Sequence, residues 1–298
     1  MTRQSDTLLT RLVTLLGRLA PDVGSYPSPI PGLALFRREK TREACACLYR
    51  PGIVMVCQGA KQMMIDGKTF RYDSSHMLAV ALDLPASSQI IEATLETPCL
   101  GLSLDLERSM LIETASQLPP LHHEKTASSS VATGEVTPPF LEALLRLLSL
   151  VDEPVLLPVL APLIKKELYC RLLMQDVAPV LWQIASTGSA SASIRNAIDW
   201  LKENYAQPLR IAHLAERVHM SPSSLHHHFR RLTGRSPLHY QKWLRLSEAR
   251  RLMINENLDA AAASYQVGYE SPSHFSRDYK ASFGLPPKQD TGKLHRHP

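Results

Sequence analysis

Residues 221–234 read SPSSLHHHFRRLTG, and residues 271–284 read SPSHFSRDYKASFG. Each stretch places hydroxyls, imidazoles and basic groups within a few positions of one another. Such donors and acceptors suit base edges and phosphates. Imidazoles also bind metal ions, but His226, His227 and His228 are neighbours, and neighbours on a helix diverge by about 100°, so they do not converge on one ion. A second chemistry-bearing group lies far upstream. Cys45-x-Cys47 and Cys57 admit three readings: small buried hydrophobes, sensor thiols activated beside Arg42 or Arg50, or acceptors in an alkyl-transfer site. The last requires a further four-cysteine zinc cluster, and the spacings do not supply one.

The elements that must position the C-terminal groups are helices. Pro222 suits a first turn and Ser221 caps it; at about 100° per residue Leu225, Phe229 and Leu232 then share one face. Ser223, His227, Arg230 and Arg231 face away, with His226 on the flank. In the second stretch Phe275, Tyr279 and Phe283 form the inner face. Ser273, Arg277 and Lys280 point outward, flanked by His274 and Ser276. A short helical run and a tight turn precede each stretch: LAERVHMS before the first and AAAASYQVGYES before the second. Short helix, turn, capped helix with an apolar inner and a basic outer face is the helix-turn-helix plan.

Charge divides the chain in the same place. Residues 194–298 hold 16 Lys and Arg against 9 Asp and Glu, whereas residues 1–193 hold 17 against 19. A basic module joined to a near-neutral one points to a polyanionic partner. With 44% hydrophobic and 20% charged residues the composition is globular. VLLPVLAPLI (155–164) is too short to span a bilayer, and Arg11 and Arg18 interrupt any signal-peptide core, so a cytoplasmic, non-membrane protein is expected.

Residues 32–106 read as β structure. Asp66-Gly67 separates two strand-like runs, a hairpin signal, and short apolar runs recur about every ten residues, as in a barrel or sandwich. Tyr49, Arg50, Gln58 and Lys61 border these runs and are candidate ligand contacts. Residues 118–139 predict a loop. Helical runs at 138–150 and 160–175 are candidates for a dimer contact, and TGSASAS (187–193) has linker composition. The predicted organisation is therefore 1–186, a linker at 187–193, and an all-α module at 194–290. Residues 1–193 contain only His76, His122 and His123, with no His-x-His, which argues against a metal-dependent barrel enzyme. No Gly-rich phosphate loop or nucleophile elbow appears, and no cofactor is called for.

Residues 194–290 resemble the DNA-binding domain of AraC/XylS-type transcriptional regulators. The matching stretches are IAHLAERVHMSPSSLHHHFRRLTGRSPLHYQKWLRLSEARRLM and AAAASYQVGYESPSHFSRDYKASFGLPP. LYRPGIVMVCQGAKQMMIDGKTFRYD and VALDLPASSQIIEA resemble the N-terminal domain of one subgroup of that family. The resemblance implies an α+β, two-domain protein. Its N-terminal half would be a cupin-like β-barrel with accessory helices, and its C-terminal all-α domain would carry two helix-turn-helix units among seven helices. It implies a non-enzymatic, effector-responsive activator that binds double-stranded promoter DNA, contacts RNA polymerase, takes an unidentified small-molecule effector and forms a homodimer. Carried over by position, the base-reading candidates are Ser223, His226 and His227 in the first unit and Ser273, His274 and Arg277 in the second. Two other classes remain open: a repair or sensor protein that works through its cysteines, and a barrel enzyme with a DNA-binding tail.

Overall fold

The computed structural model describes residues 3–119, 129–186 and 189–296, which form two compact units, Met1–Thr187 and Gly188–Pro298. The expected loop histidines His122 and His123 lie outside the described residues.

The first unit begins with α1 (Arg3–Leu19), whose Leu8, Leu9, Leu12 and Leu16 form the buried stripe expected of an amphipathic helix. Nine strands follow: β1 (Gly24–Pro27), β2 (Leu33–Arg38), β3 (Arg42–Tyr49), β4 (Gly52–Gln58), β5 (Ala60–Ile65), β6 (Lys68–Asp73), β7 (His76–Val80), β8 (Leu84–Glu92) and β9 (Cys99–Asp105). They do not close a barrel. One antiparallel sheet runs β1-β2-β9-β4-β7-β10 and a second runs β3-β8-β5-β6, where β10 is Val131–Glu135. The chain crosses between the sheets at short turns, so consecutive strands often belong to different ladders. Alternating burial along a strand tells inside from outside but not which neighbour completes its hydrogen bonds. Strand β10 lies within the stretch read as a loop. Its residues Val131 to Glu135 pair in register with Val80 to His76. The Asp66-Gly67 hairpin forms as read, with φ of 49° and 71° at the two turn residues and Ile65 opposite Lys68.

Helices α2 (Arg108–Gln117), α3 (Pro138–Ser149), α4 (Leu157–Leu173) and α5 (Ala178–Ala185) complete the unit. Phe140, Leu141, Ala143, Leu144, Leu147 and Leu148 of α3 are buried, and α3 packs against both α1 and α4. Helix α3 therefore has little free surface for a second copy. Helix α4 differs, with Val155 just ahead of it and Val159 and Leu163 on it 86%, 65% and 62% exposed. Its inner side carries Lys165, buried with its ammonium on Glu107 and 3.2 Å from the Pro31 carbonyl.

The second unit has seven helices among the described residues: α6 (Ala190–Glu203), α7 (Ile211–Arg217), α8 (Pro222–Thr233), α9 (Pro237–Asn255), α10 (Ala260–Gln266), α11 (Pro272–Phe283) and α12 (Pro287–Arg296). Helix α6 starts inside the stretch read as linker because the Ser189 hydroxyl accepts from the Ala192 amide at 3.2 Å and caps it there. Helix α9 joins two similar halves, α7–α8 and α10–α11. In the second half Leu246, Ala249, Leu252, Met253, Ala263, Val267, Phe275 and Tyr279 form one continuous core.

Candidate functional site

Helices α8 and α11 are built alike. Ser221 and Ser271 supply the caps, accepting from the Ser224 and His274 amides at 3.2 and 3.4 Å, and proline opens each first turn. Both end on a left-handed glycine, Gly234 and Gly284. Leu225, Phe229 and Leu232 are buried on α8, as are Phe275 and Tyr279 on α11, while Phe283 is partly buried. Burying each such side chain is worth about 1.5–3 kcal/mol. This locks the inner faces and fixes which residues look out.

The outward residues are those the helical periodicity selects. Ser223, His226, His227, Arg230 and Arg231 are exposed on α8, and Ser273, His274, Arg277 and Lys280 on α11. Their partners divide the cations of this unit into two classes. Lys242 pairs with Asp278 at 2.7 Å, Arg250 with Asp290 at 2.8 Å, and Arg251 with Glu248 at 2.8 Å; these hold the fold. Arg230, Arg277 and Lys280 have no carboxylate partner among the described residues. Among the described residues Arg231 shares only the His228 ring, at 3.3 Å. His274 sits 3.9 Å from Asp278, which tethers it more than its counterparts on α8. Unpaired, outward cations on rigid capped helices are what a phosphate backbone and guanine edges require.

Arg245 of α9 is a positioning residue that periodicity did not single out. Its guanidinium donates to the carbonyls of Tyr205 (2.6 Å), Ala206 (3.1 Å), Gln207 (3.0 Å) and Gly268 (2.9 Å). It thereby ties the segment after α6 to the turn between α10 and α11. Gly268 has φ of +86°, and a Cβ there would lie 2.1 Å from the Ala206 carbonyl oxygen. The close approach that Arg245 bridges therefore needs glycine.

The first unit contains a cavity of about 280 Å³. Of the candidate contacts, Tyr49 and Lys61 line it, and so do Cys45 and Cys47. Arg50 instead lies on the surface 3.7 Å from Asp105, and Gln58 donates to the Pro98 carbonyl at 2.8 Å; neither lines the cavity. The structure adds Arg38 and Arg42 to the wall, together with Ser25, Ser88 and Ser103. Phe36 forms a floor because β9 has Gly101 beneath it, where a Cβ would meet the ring at 2.5 Å. The Lys61 ammonium sits over that ring, 4.5 Å from its centre, and burial lowers its pKa. Tyr49 and Tyr72 share a hydrogen bond of 2.9 Å between their hydroxyls.

Cys47 and Cys57 do not have the environment of activated nucleophiles. Burial, reinforced by Cys45, pushes Cys47 up to about 12. Burial, with a smaller contribution from Cys99, likewise pushes Cys57 up to about 12. A sensor thiol needs the opposite shift. Among the described residues no three His, Cys, Asp or Glu side chains are grouped so that they could hold a metal ion, and no helix is long and apolar enough to cross a membrane.

Comparison with known proteins gives the family. A family profile described as the AraC-type transcriptional regulator N-terminus matches residues 29–180, and one described as a helix-turn-helix domain matches residues 214–291. The HTH-type transcriptional activator RhaS of Pectobacterium carotovorum subsp. carotovorum (strain PC1) is 29% identical over 107 residues, covering 36% of this chain and 38% of the relative. The HTH-type transcriptional regulator CdhR of Pseudomonas aeruginosa is 33% identical over 107 residues, covering 36% of this chain and 32% of the relative. The chain thus spans well under half the length of these curated relatives. Among solved structures, unsaturated fatty acid bound ToxT of Vibrio cholerae superposes with a TM-score of 0.58 at 11% identity, over 87% of this chain and 94% of that one. ToxT bound to (E)-4-(8-methylnaphthalen-1-yl)but-3-enoic acid gives 0.58 at 13% identity, over 91% and 98%. The fold is shared with these proteins, and a profile covering half of the sequence agrees with the motifs of its C-terminal third: the chain belongs to the AraC-type transcriptional regulators, a family of regulators and not of enzymes.

Proposed function

We propose that the protein is an effector-responsive, sequence-specific regulator that binds double-stranded promoter DNA through two helix-turn-helix units, α7–α8 and α10–α11, usually to activate transcription. The observation that carries this reading is the pair of equally capped helices whose outward faces hold unpaired Arg230, Arg277 and Lys280 beside short polar side chains. Ser223, His226, His227, Ser273, His274 and Arg277 read base edges, while Arg230, Arg231 and Lys280 hold phosphates. Two readers on one chain enter successive major grooves about 34 Å apart and define an asymmetric site.

The working division is an effector and association domain over 1–186, a linker at 187–193 and a DNA-binding domain over 194–290. The first is of cupin-like type, and the cavity beside Lys61 takes the small-molecule effector. The carboxylic acids held by ToxT support a ligand role for this half of the fold. Val155, Val159 and Leu163 recur every four residues on the exposed side of α4 and its entry, so a homodimer forms there. RNA polymerase is the partner during activation, and the protein works in the cytoplasm. Selection of bound duplexes from a random pool, followed by hydroxyl-radical footprinting, tests the reading. One enriched sequence with two protected patches a helical turn apart is expected; no enrichment over the starting pool would refute it.

A further inference from the structure

We propose that α8 reads its half of the DNA site by taking up protons, His226 and His227 becoming cationic as they meet guanine edges. The specificity of that half then strengthens as pH falls, while the half under α11 is read alike on either side of neutrality. This adds regulation to the DNA site and rests on the DNA-binding reading above.

The two readers differ in kind at matching places. Counted from their serine caps, Ser221 and Ser271, His227 of α8 stands where Arg277 stands on α11, and Arg230 where Lys280 stands. His226 and His227 are both exposed. An arginine carries its donors at any pH, whereas histidine changes charge between about pH 5 and 8. In the major groove guanine offers two acceptors, O6 and N7. A neutral imidazole has one donor and one acceptor nitrogen, while a protonated one donates from both. The charged ring therefore suits guanine, and the neutral ring is the weaker reader.

The chain itself supplies no counter-ion for that proton. Neither ring forms an ion pair or a hydrogen bond among the described residues. Four positions further along the helix stand Arg230 and Arg231, both cations. The His228 ring lies edge-on to His227, 5.2 Å between centres. Burial, then Arg231 and His227, lower the His228 pKa, so at neutral pH it is uncharged and its Nδ1 accepts from Arg231 at 3.3 Å.

Helices α6, α7 and α9 pack on α8. Their carboxylates Asp199, Glu203, Glu216 and Glu248 make no ion pair with either ring; Asp199 lies 3.8 Å from Lys202, and Arg251 holds Glu248. Their imidazoles are engaged elsewhere, His213 against Trp200 and His239 on the Ser236 hydroxyl at 2.8 Å. Arg195, Lys202, Arg217, Lys242 and Arg245 add only positive charge. On α11, by contrast, the one imidazole, His274, has Asp278 at 3.9 Å. DNA brings the anion that α8 lacks, because phosphates beside the guanine edge favour a charged ring. The complex then holds more protons than the free protein. Affinity is accordingly greatest at low pH and is lost as pH rises through the bound-state pKa.

Selection of duplexes from a random pool by the full chain, at about pH 6 and about pH 8 and one fixed salt concentration, tests the proposal. Both halves of the site should be enriched at the lower pH, and only one at the higher. The enriched duplex should bind about tenfold or more tightly at the lower pH, since an imidazole whose pKa rises by about one unit on binding gains up to tenfold. A scrambled duplex should gain much less. His226→Gln with His227→Gln should remove both the pH dependence and the preference in the pH-sensitive half. His227→Arg should keep that half at either pH. The wild-type comparison stands even where a variant does not fold. Two halves enriched equally at both pH values reject proton reading and leave the regulator reading intact. An equal gain on the scrambled duplex, or a pH dependence that survives the double substitution, overturns the proposal as well. No enrichment at either pH rejects the regulator reading, and the proposal with it.

Discussion

Arg245→Met keeps most of the side-chain stem and removes the fork that ties the segment after α6 to the turn between α10 and α11. Four backbone carbonyls, those of Tyr205, Ala206, Gln207 and Gly268, lose a charged donor at 2.6–3.1 Å. Each charge-assisted bond contributes about 1.5–3 kcal/mol net, but bonds from one side chain share its desolvation and do not add. A loss of about 3–4 kcal/mol follows, a large part of the 5–15 kcal/mol available to a domain. With a urea slope of about 2 kcal/mol/M the midpoint should fall by roughly 1.5–2 M. Trp200 and Trp243 report on this unit, so the variant is best made in a Trp182→Phe background and followed by fluorescence. Arg245→Lys should lose nearly as much, because one ammonium cannot span carbonyls contributed by two segments. A midpoint within about 0.5 M of the parent would show that these contacts are solvated equally well without Arg245.

Other outcomes follow from the same geometry. Phe275→Ala should cost about 3–5 kcal/mol, and Leu225→Ala about 2–5 kcal/mol, because both side chains are fully buried; an unchanged unfolding midpoint would show the face assignment to be wrong. Gly268→Ala should destabilise by more than the ordinary cost of a left-handed non-glycine residue, about 1 kcal/mol, since its Cβ meets the Ala206 carbonyl oxygen at 2.1 Å; thermal melts of the two proteins decide this. Cys47 and Cys57, pushed up to about 12, hold about one thiolate in ten thousand at pH 8. Native iodoacetamide labelling at these two sites should therefore run at least about a hundredfold slower than in the unfolded chain, and equal rates would show that the two thiols are not held protonated by burial.

Helices α8 and α11 were legible in the sequence because local rules decide them. Ser221 and Ser271 mark the starts, the prolines occupy the first turn, and a 3.6-residue period separates Phe229 from Arg230. The cavity between the sheets was legible only in part. Tyr49, Lys61, Cys45 and Cys47 stand in or beside strand-like runs, but Arg38 and Arg42 join them only through pairing of distant strands. A register shift between Arg42 and Cys45 hides the relation further, since a bulge changes which residues share a face. Arg50 and Gln58 are close in sequence to cavity residues yet belong to the surface and to a loop carbonyl. The expected barrel became two sheets for the same reason, and β10 was masked by a Ser- and Thr-rich context that only its pairing with β7 overrides. Arg245 looked like any basic residue on a joining helix. Its role depends on four carbonyls lying 23 to 40 residues away in sequence.

Genome-wide mapping of DNA bound by the tagged protein, wild type beside Arg277→Ala, tests sequence-specific recognition most directly. Sharp promoter peaks that weaken by about 1–3 kcal/mol in the variant, with relaxed preference at one base pair, are expected if Arg277 grips a guanine edge. Wild-type peaks that the variant reproduces in both height and sequence preference would contradict base reading by α11.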